Sequence, residues 1–538
     1  MALVALTLMV GSHGRYTEDE GAAATTARSL VAGHGWLTPD PVPAADPTGT
    51  NYPLVQSDWG TKGTSAYAKH PTYAGLLAVA DRAAGVSGMV GLSVAGTALA
   101  ALASALLARR IDPRLAAPTL WLVGLGSPLL FDSQLLVAHA VAAATAGFAV
   151  LAFDAARDAP RRPAAVLGVI GAVLTLATAL LRTEGVLLAV GLGLALAVTV
   201  PMERRLRGVL LGGAAVVAGG AAFLADHLAR VRIVGAAIVD PSPPTATSQG
   251  LLADRLHAFV HTMLTSGFAS GTGPILVLAV SVLLGTAVFA LRRGGSPAKA
   301  GLLALGAGLL AVVRAFLPND AIPGLLVAWP ALWVGLVLAG RSAWGDSRRR
   351  LLVGASALFA LAVFATQYAA GGGLEWGGRY FALALPLLAP VAVAGLDRAG
   401  AAMGGRDRRR AVAGLVLVSV GLSVVGLREL RSTESATNRF VDRVAETAGP
   451  VGAAEGRPVI VTTASFLPRV AWSTFDRQRW LLVDPDHPQD LVARLRRAGV
   501  GRFTFVTPDP TGEARVVHGA RAVHTVHVDG WALEVLHT

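Results

Sequence analysis

Cysteine is absent from the 538 residues, which excludes disulfides, thiol catalysis and Cys-ligated metals. Lysine is scarce: of 46 basic residues only Lys62, Lys69 and Lys299 are not arginine. Charged residues of both signs make up 15% of the chain against 53% hydrophobic, and the mean hydropathy of +0.57 excludes an ordinary soluble domain. The short alternating segments of a membrane β-barrel are also lacking.

What is present instead is a series of apolar blocks of roughly 17–22 residues, the length a helix needs to cross a bilayer core. Few carry a central charge, and a helix satisfies its own backbone in lipid. Spanning segments are predicted near 86–108, 115–131, 135–153, 164–181, 185–200, 208–226, 274–291, 300–317, 321–340, 351–370, 380–396 and 411–427. Met1–Gly11 is apolar, too short to span, and lacks the basic start of a signal peptide. It reads as the remainder of a first transmembrane helix, for about thirteen in all, or as a short helix dipping into the bilayer.

The net charge of +12 is placed asymmetrically. Loops 109–114, 154–163, 201–207, 292–299, 341–350 and 397–410 hold 21 Arg and Lys, whereas 127–134, 182–184, 318–320 and 371–380 hold two, Arg182 and Arg379. Basic residues favour cytoplasmic loops, so the first set is assigned to the cytoplasm. Segment 13–70, loop 227–273 and the tail from about 428 then lie outside. This distribution reads as membrane topology and leaves no basic stripe for nucleic acid. An Arg-over-Lys, Ala/Gly/Val/Leu-rich composition points to a GC-rich bacterial genome, hence to a plasma membrane with a periplasmic face.

The chain divides on this reading into a transmembrane domain, 1–427, and a small extracytoplasmic α/β domain, 428–538. Within the first, Glu18 to Ala32 reads as a helix beside the membrane, 38–66 as irregular, and Pro71 to Ala84 as a second juxtamembrane helix. In the second, Ser435 to Ala448 and the amphipathic 488–498 read as helices; 458–463, 479–484 and 502–507 read as strands, with a final hairpin in 514–536. No internal repeat is evident. The C-terminal histidines, His487, His518, His524 and His527, are spaced too irregularly to suggest ligands.

Polar chemistry gathers at the external ends of the helices, in five clusters. Arg15-Tyr16-Thr17-Glu18-Asp19-Glu20-Gly21 follows the first apolar segment; the bland alternative is an acidic helix start. Tyr67-Ala68-Lys69-His70-Pro71-Thr72-Tyr73 marks the loop's return to the membrane, where Lys69 suits a phosphate contact or merely snorkels. Phe131-Asp132-Ser133-Gln134 precedes a helix carrying His139, and a packed histidine beside a loop carboxylate is favoured over a metal pair. Leu181-Arg182-Thr183-Glu184-Gly185 is a charged turn between apolar helices. Gly371-Gly372-Gly373-Leu374-Glu375-Trp376-Gly377-Gly378-Arg379-Tyr380 combines glycines with an arginine able to grip an anion bidentately. Arg182–Glu184 and Glu375–Arg379 ion pairs are the plain alternatives. All five clusters fall on one predicted side, which suggests a site.

The order of these motifs resembles that of the GT-C glycosyltransferases, multi-pass enzymes using polyprenyl-phosphate sugars, and most closely the branch of protein O-mannosyltransferases and the lipid A aminoarabinose transferase. The likeness is carried by Asp19-Glu20 opening the first external loop, AKHPTYAGLLA closing it, an acidic residue in the next external loop, the LRTEG turn and WGGRYFALALPLL. It covers most of 13–427. It implies Asp19 as catalytic base with Glu20 or Glu18 tuning it, Lys69 on the lipid phosphate, and Asp132 as the second acidic position. Arg182 and Arg379 would be further phosphate ligands, with His70, Tyr73, Glu184 and Glu375 as additional candidates. His70 departs from the family, which often has Pro there.

Such chemistry needs one carboxylate to deprotonate an acceptor hydroxyl and cations to stabilise a departing phosphate. Direct attack inverts the anomeric carbon, so no nucleophilic carboxylate is required. Asp19 and Asp132 could also hold a divalent cation through oxygen ligands, though nothing in the sequence demands a cofactor. The expected partners are a polyprenyl-phosphate sugar donor, membrane lipid, and a cell-envelope glycan, lipid or protein as acceptor. A transporter or lipid flippase is the alternative, expected to carry mid-membrane ionisable residues or matched broken helices; a non-catalytic scaffold would leave Asp19 and Lys69 unexplained.

Overall fold

The computed structural model describes residues 1–36, 40–47, 51–53, 70–234, 250–264, 272–317, 323–366, 376–449, 456–484, 488–509, 520–528 and 530–538. Among the described residues nine helices are long and apolar enough to cross a membrane: Pro71–Ile111, His139–Asp158, Arg161–Leu181, Met202–Ile233, Ile275–Arg292, Pro297–Ala315, Ser347–Thr366, Arg379–Ala401 and Gly405–Ala448. Glu184–Thr199 is a shorter apolar helix. The chain is a polytopic helical membrane protein with a small C-terminal sheet.

Two of the predicted spans are broken, and proline explains both. Ala116–Gly126 stops where Ser127 turns extended (φ −106°, ψ 165°) ahead of Pro128, and a short turn, Leu129–Asp132, follows. Leu325–Ala328 stops at Trp329 (φ −133°, ψ 67°), and Pro330–Ala339 resumes beyond it. A residue preceding proline is sterically pushed out of the helical region. The juxtamembrane helix expected over 71–84 and the span from 86 are one 41-residue element bent where Ala84 and Gly85 leave helical geometry. At the chain's start Ala2–Val10 forms a helix closed by Gly11 in the left-handed region.

Four of the six basic loops meet at one end of the molecule. Asp154 pairs with Arg110, with Arg157 at 3.3 Å and with Arg348 at 3.3 Å, and Asp158 pairs with Arg348 at 2.5 Å and Arg204 at 3.6 Å. Four of the loops that charge counting grouped together therefore share one end.

At the opposite end of Gly405–Ala448, a 44-residue helix without an internal break, lies a five-stranded sheet. Its strands are β1 (Val459–Thr462), β2 (Arg479–Leu482), β3 (Arg502–Pro508), β4 (Arg521–Val528) and β5 (Trp531–His537), in the order β2-β1-β3-β5-β4. β2, β1 and β3 are parallel; β5 runs antiparallel to β3 and β4. Alternation sorts the side chains onto two faces. Val459, Val461, Phe503 and Phe505 pack against Leu491, Val492 and Leu495 of the Pro488–Arg497 helix. Ile460, Trp480 and Val506 pack against Phe440, Val441 and Val444 of the long helix.

Residues of the long first loop complete this domain. Val42 and Ala45 are buried in the first of those cores, and Leu482 N–H donates to the Asn51 carbonyl at 2.7 Å, beside the edge strand β2. The loop thus seats the sheet over the helix Glu18–Val31.

Candidate active site

The helix Glu18–Val31 begins with a reciprocal cap: Glu20 N–H donates to Thr17 Oγ1, and Glu20 Oε2 accepts from Thr17 N–H at 2.8 Å. Glu20 Oε2 also accepts from Tyr16 N–H at 3.1 Å, and Oε1 accepts from Leu136 N–H at 2.8 Å. Glu20 is fully buried, and its carboxylate ties the start of the helix Glu18–Val31 to the segment at Leu136. Glu18 points the other way, exposed, into a 2.8 Å ion pair with Arg469 of the C-terminal domain. Of the three adjacent carboxylates, Asp19 remains partly accessible, at 20% side-chain exposure, and meets Arg379 Nη1 at 3.1 Å.

Arg379 is aimed by a turn that only glycine makes easily. Gly377 and Gly378 take φ of +78° and +70°, a region costly to residues with a Cβ. A Cβ on Gly377 would lie 2.3 Å from Pro128 Cγ, and one on Gly378 would lie 2.5 Å from the Thr262 carbonyl. Beside the turn Trp376 stacks on Phe131, centroids 5.9 Å apart, and Phe131 meets Tyr16 edge-on at 5.3 Å. One aromatic column thus joins the first, third and fifth sequence clusters.

The fourth cluster reaches the same place through Tyr380. The Arg379 guanidinium lies over the Tyr380 ring, 5.2 Å from its centre, and the helix Glu184–Thr199 packs against the turn Arg379–Ala384. Arg182 and Glu184 form a two-bond ion pair at 3.1 and 2.5 Å. Between them Thr183 Oγ1 lies 2.9 Å from His70 Nε2, while His70 Nδ1 lies 3.0 Å from Asp226 and Arg230 is 2.9 Å from the same carboxylate. His70 therefore bridges the end of the first long loop, the LRTEG turn and the helix carrying Asp226. Sequence reasoning missed Asp226 and Arg230; the signal was a carboxylate and an arginine four apart, where an apolar helix emerges.

Asp132 is buried and lies 3.7 Å from His139, itself buried. Tyr73 is fully buried in the main core. Lys69 and Glu375 lie outside the described residues. Among the described residues no group of three or more His, Asp or Glu side chains gathers into a metal site. The structure thus joins Asp19, Arg379 and Tyr380 by direct contact, and Arg182, Glu184 and His70 gather around Thr183 on the neighbouring helix start.

The chain thus combines a polytopic helical membrane domain, a long first loop bearing a partly accessible carboxylate, and a small terminal sheet. No protein-family model matches the chain, and no curated protein matches it significantly. Among solved structures it is similar to ArnT from Cupriavidus metallidurans in the apo state, at 15% identity and a TM-score of 0.53, over 99% of this chain and 97% of that one. The same enzyme bound to undecaprenyl phosphate matches with a TM-score of 0.51, at equal identity and coverage. The oligosaccharyltransferase AglB from Archaeoglobus fulgidus gives 0.47 at 14% identity, over 94% of this chain and 69% of its own. The likeness is one of fold, and the resemblance to GT-C enzymes inferred from motif order is matched by it.

Proposed function

We propose that the chain is a membrane glycosyltransferase that moves a sugar from a polyprenyl-phosphate donor to an acceptor hydroxyl, on the extracytoplasmic face of a bacterial plasma membrane, with inversion. The observation that carries this reading is the contact between Asp19 and Arg379, a base and an anion ligand brought together from distant segments. The similarity to ArnT bound to undecaprenyl phosphate supports the donor class.

In the proposed reaction the donor phosphate takes over the Arg379 guanidinium, whose planar fork suits two phosphate oxygens. Asp19, relieved of its ion pair, accepts the proton of the acceptor hydroxyl. The acceptor oxygen bonds to the anomeric carbon as the carbon–oxygen bond to phosphate breaks, and the bonding pair leaves with polyprenyl phosphate. Arg379 and Arg182 stabilise that anion, with Lys69 as a further ligand. Glu20 is assigned a positioning role, because its oxygens are already engaged by backbone donors. Residues 1–427 would carry the chemistry and 428–538 would roof it.

Sugar transfer by purified protein in lipid, given a panel of labelled polyprenyl-phosphate sugars, tests the proposal. Transfer or slow donor hydrolysis that disappears in Asp19→Asn is expected. Folded protein that turns over no donor, yet moves lipid or solute across the bilayer, would replace this reading with transport.

A further inference from the structure

Away from the Asp19 rim, a second concavity of about 280 Å³ lies where three parts of the chain meet. The far turns of Glu18–Val31 form its floor, His34, Asp40, Pro41, Tyr52 and Pro53 form one side, and the C-terminal domain closes it. Its walls are Tyr52, Trp472 and Trp480, all almost completely buried. They are fixed in place. Trp472 Nε1 donates to the Gly14 carbonyl at 2.8 Å, Trp480 Nε1 donates to Thr474 at 2.9 Å, and the Arg28 guanidinium covers the Trp472 ring at 4.7 Å. Walls anchored in this way form a preformed pocket.

The polar groups narrow the ligand class. Gln478 is 5% exposed and lines the cavity, and its Oε1 has no hydrogen-bond partner among the described residues. A buried acceptor left without a donor is costly, so a ligand bearing a hydroxyl would complete it. Two cations, Arg28 and Arg457, and two carboxylates, Asp40 and Asp476, stand around the opening. Their charges offset, which favours neither an anion nor a cation. An aliphatic ligand would leave Gln478 unsatisfied. The accessible rings of Phe475 and His34, combined with mixed donors and acceptors, suit a neutral polyhydroxylated ring.

We propose that this cavity binds a saccharide ring, and that the acceptor is a glycan gripped here at a sugar remote from its reacting hydroxyl. The second half of that statement rests on the transferase reading above; the first half does not. Thr25, Arg28, Ser29 and Ala32 share the face of the helix turned to the cavity, and Asp19 lies on the same helix nine residues before Arg28. At 1.5 Å per residue that is about 14 Å along the axis, a span that requires more than one sugar unit. The external helix thus serves as a ruler between a holding site and a reacting site.

The test uses the full chain in lipid nanodiscs and a panel of di- and tetrasaccharides of glucose, galactose, mannose and arabinose, followed by saturation-transfer NMR and calorimetry without donor. One saccharide class is expected to bind, with Gln478→Leu weakening it about tenfold or more while thermal stability stays the same or rises. Arg457→Ala, at the exposed rim, should weaken it by a smaller factor. In turnover assays both should raise KM for the glycan acceptor and leave donor hydrolysis to water unchanged. Absence of saccharide binding to wild type, or equal binding by Gln478→Leu, overturns the proposal. Saccharide binding with no turnover of any donor would instead leave the cavity standing and remove the transferase reading.

Discussion

Asp19 and Arg379, 360 positions apart, meet at 3.1 Å with both side chains about four-fifths buried. In this state each occupies the other; in the proposed mechanism donor phosphate displaces the carboxylate and frees it to act as a base. Arg379→Lys keeps the charge and loses the planar fork. It is expected to raise KM for donor and lower kcat together, whereas Asp19→Asn should lower kcat by about 10²–10⁴, the usual worth of a general base. Steady-state kinetics on both variants check this; a normal rate in Asp19→Asn would sink the assignment of the base.

The neighbouring carboxylate should behave in the opposite way. Glu20→Gln turns one acceptor oxygen into an amide NH2, so either the bonds from the Tyr16 and Thr17 N–H groups or the bond from the Leu136 N–H is lost. The expected loss is about 1–3 kcal/mol of stability, seen as a lower unfolding temperature in detergent. Asp19→Asn should unfold close to wild type, separating a structural acid from a reacting one at adjacent positions.

Gly21 lets the C-terminal domain sit on the external helix. A Cβ there would fall 1.6 Å from the Arg469 carbonyl, a backbone atom that no rotamer change can move. Gly21→Ala should lift the segment around Arg469 from the helix and break the Glu18–Arg469 pair. Faster hydrogen exchange in 465–475, with transmembrane helices unchanged, is the expected signature.

Asp40 gives the external assembly a pH response. Burial, and after it the adjacent Asp46 carboxylate, push its carboxyl up to about 6 from 3.8, against the Val42 N–H that pulls it down. Between those two values the native state holds more protons than the unfolded chain, so stability falls as pH rises through the window and levels off above it. Asp40→Asn removes this dependence while keeping an oxygen for Val42. Above pH 6 the variant should unfold at or above the wild-type temperature, and the gap should close below about pH 4. A gap that widens on acidification would contradict the sign.

Much of the fold was legible because lipid imposes a simple length rule on apolar blocks. The strands at 459–462, 479–482 and 502–508 also fell where β-branched and aromatic runs placed them. Breaks at Pro128 and Pro330 were less visible, since proline inside an apolar run signals a local choice that hydropathy averages away. The site was legible as five clusters and illegible as contacts. Nothing in 15–21 or 371–380 says that Asp19 meets Arg379, because that pairing is made by helix packing over hundreds of residues. The difference between Asp19 and Glu20 was available: Thr17-x-x-Glu20 is a capping-box pattern, and a glutamate so employed is held by its own backbone.

The unbroken helix Gly405–Ala448 carries a mechanical consequence. Forty-four residues at 1.5 Å each make a mast of about 66 Å, and it contains no proline to hinge it. Its foot bears the Asp407–Arg410 pair and its head presses Phe440 and Val444 into the sheet. Glu434, partway up, is clasped by Ser12 and by the backbone N–H groups of His13 and Arg15. A sheet lashed to an unhinged spar is carried along by any tilt of that helix.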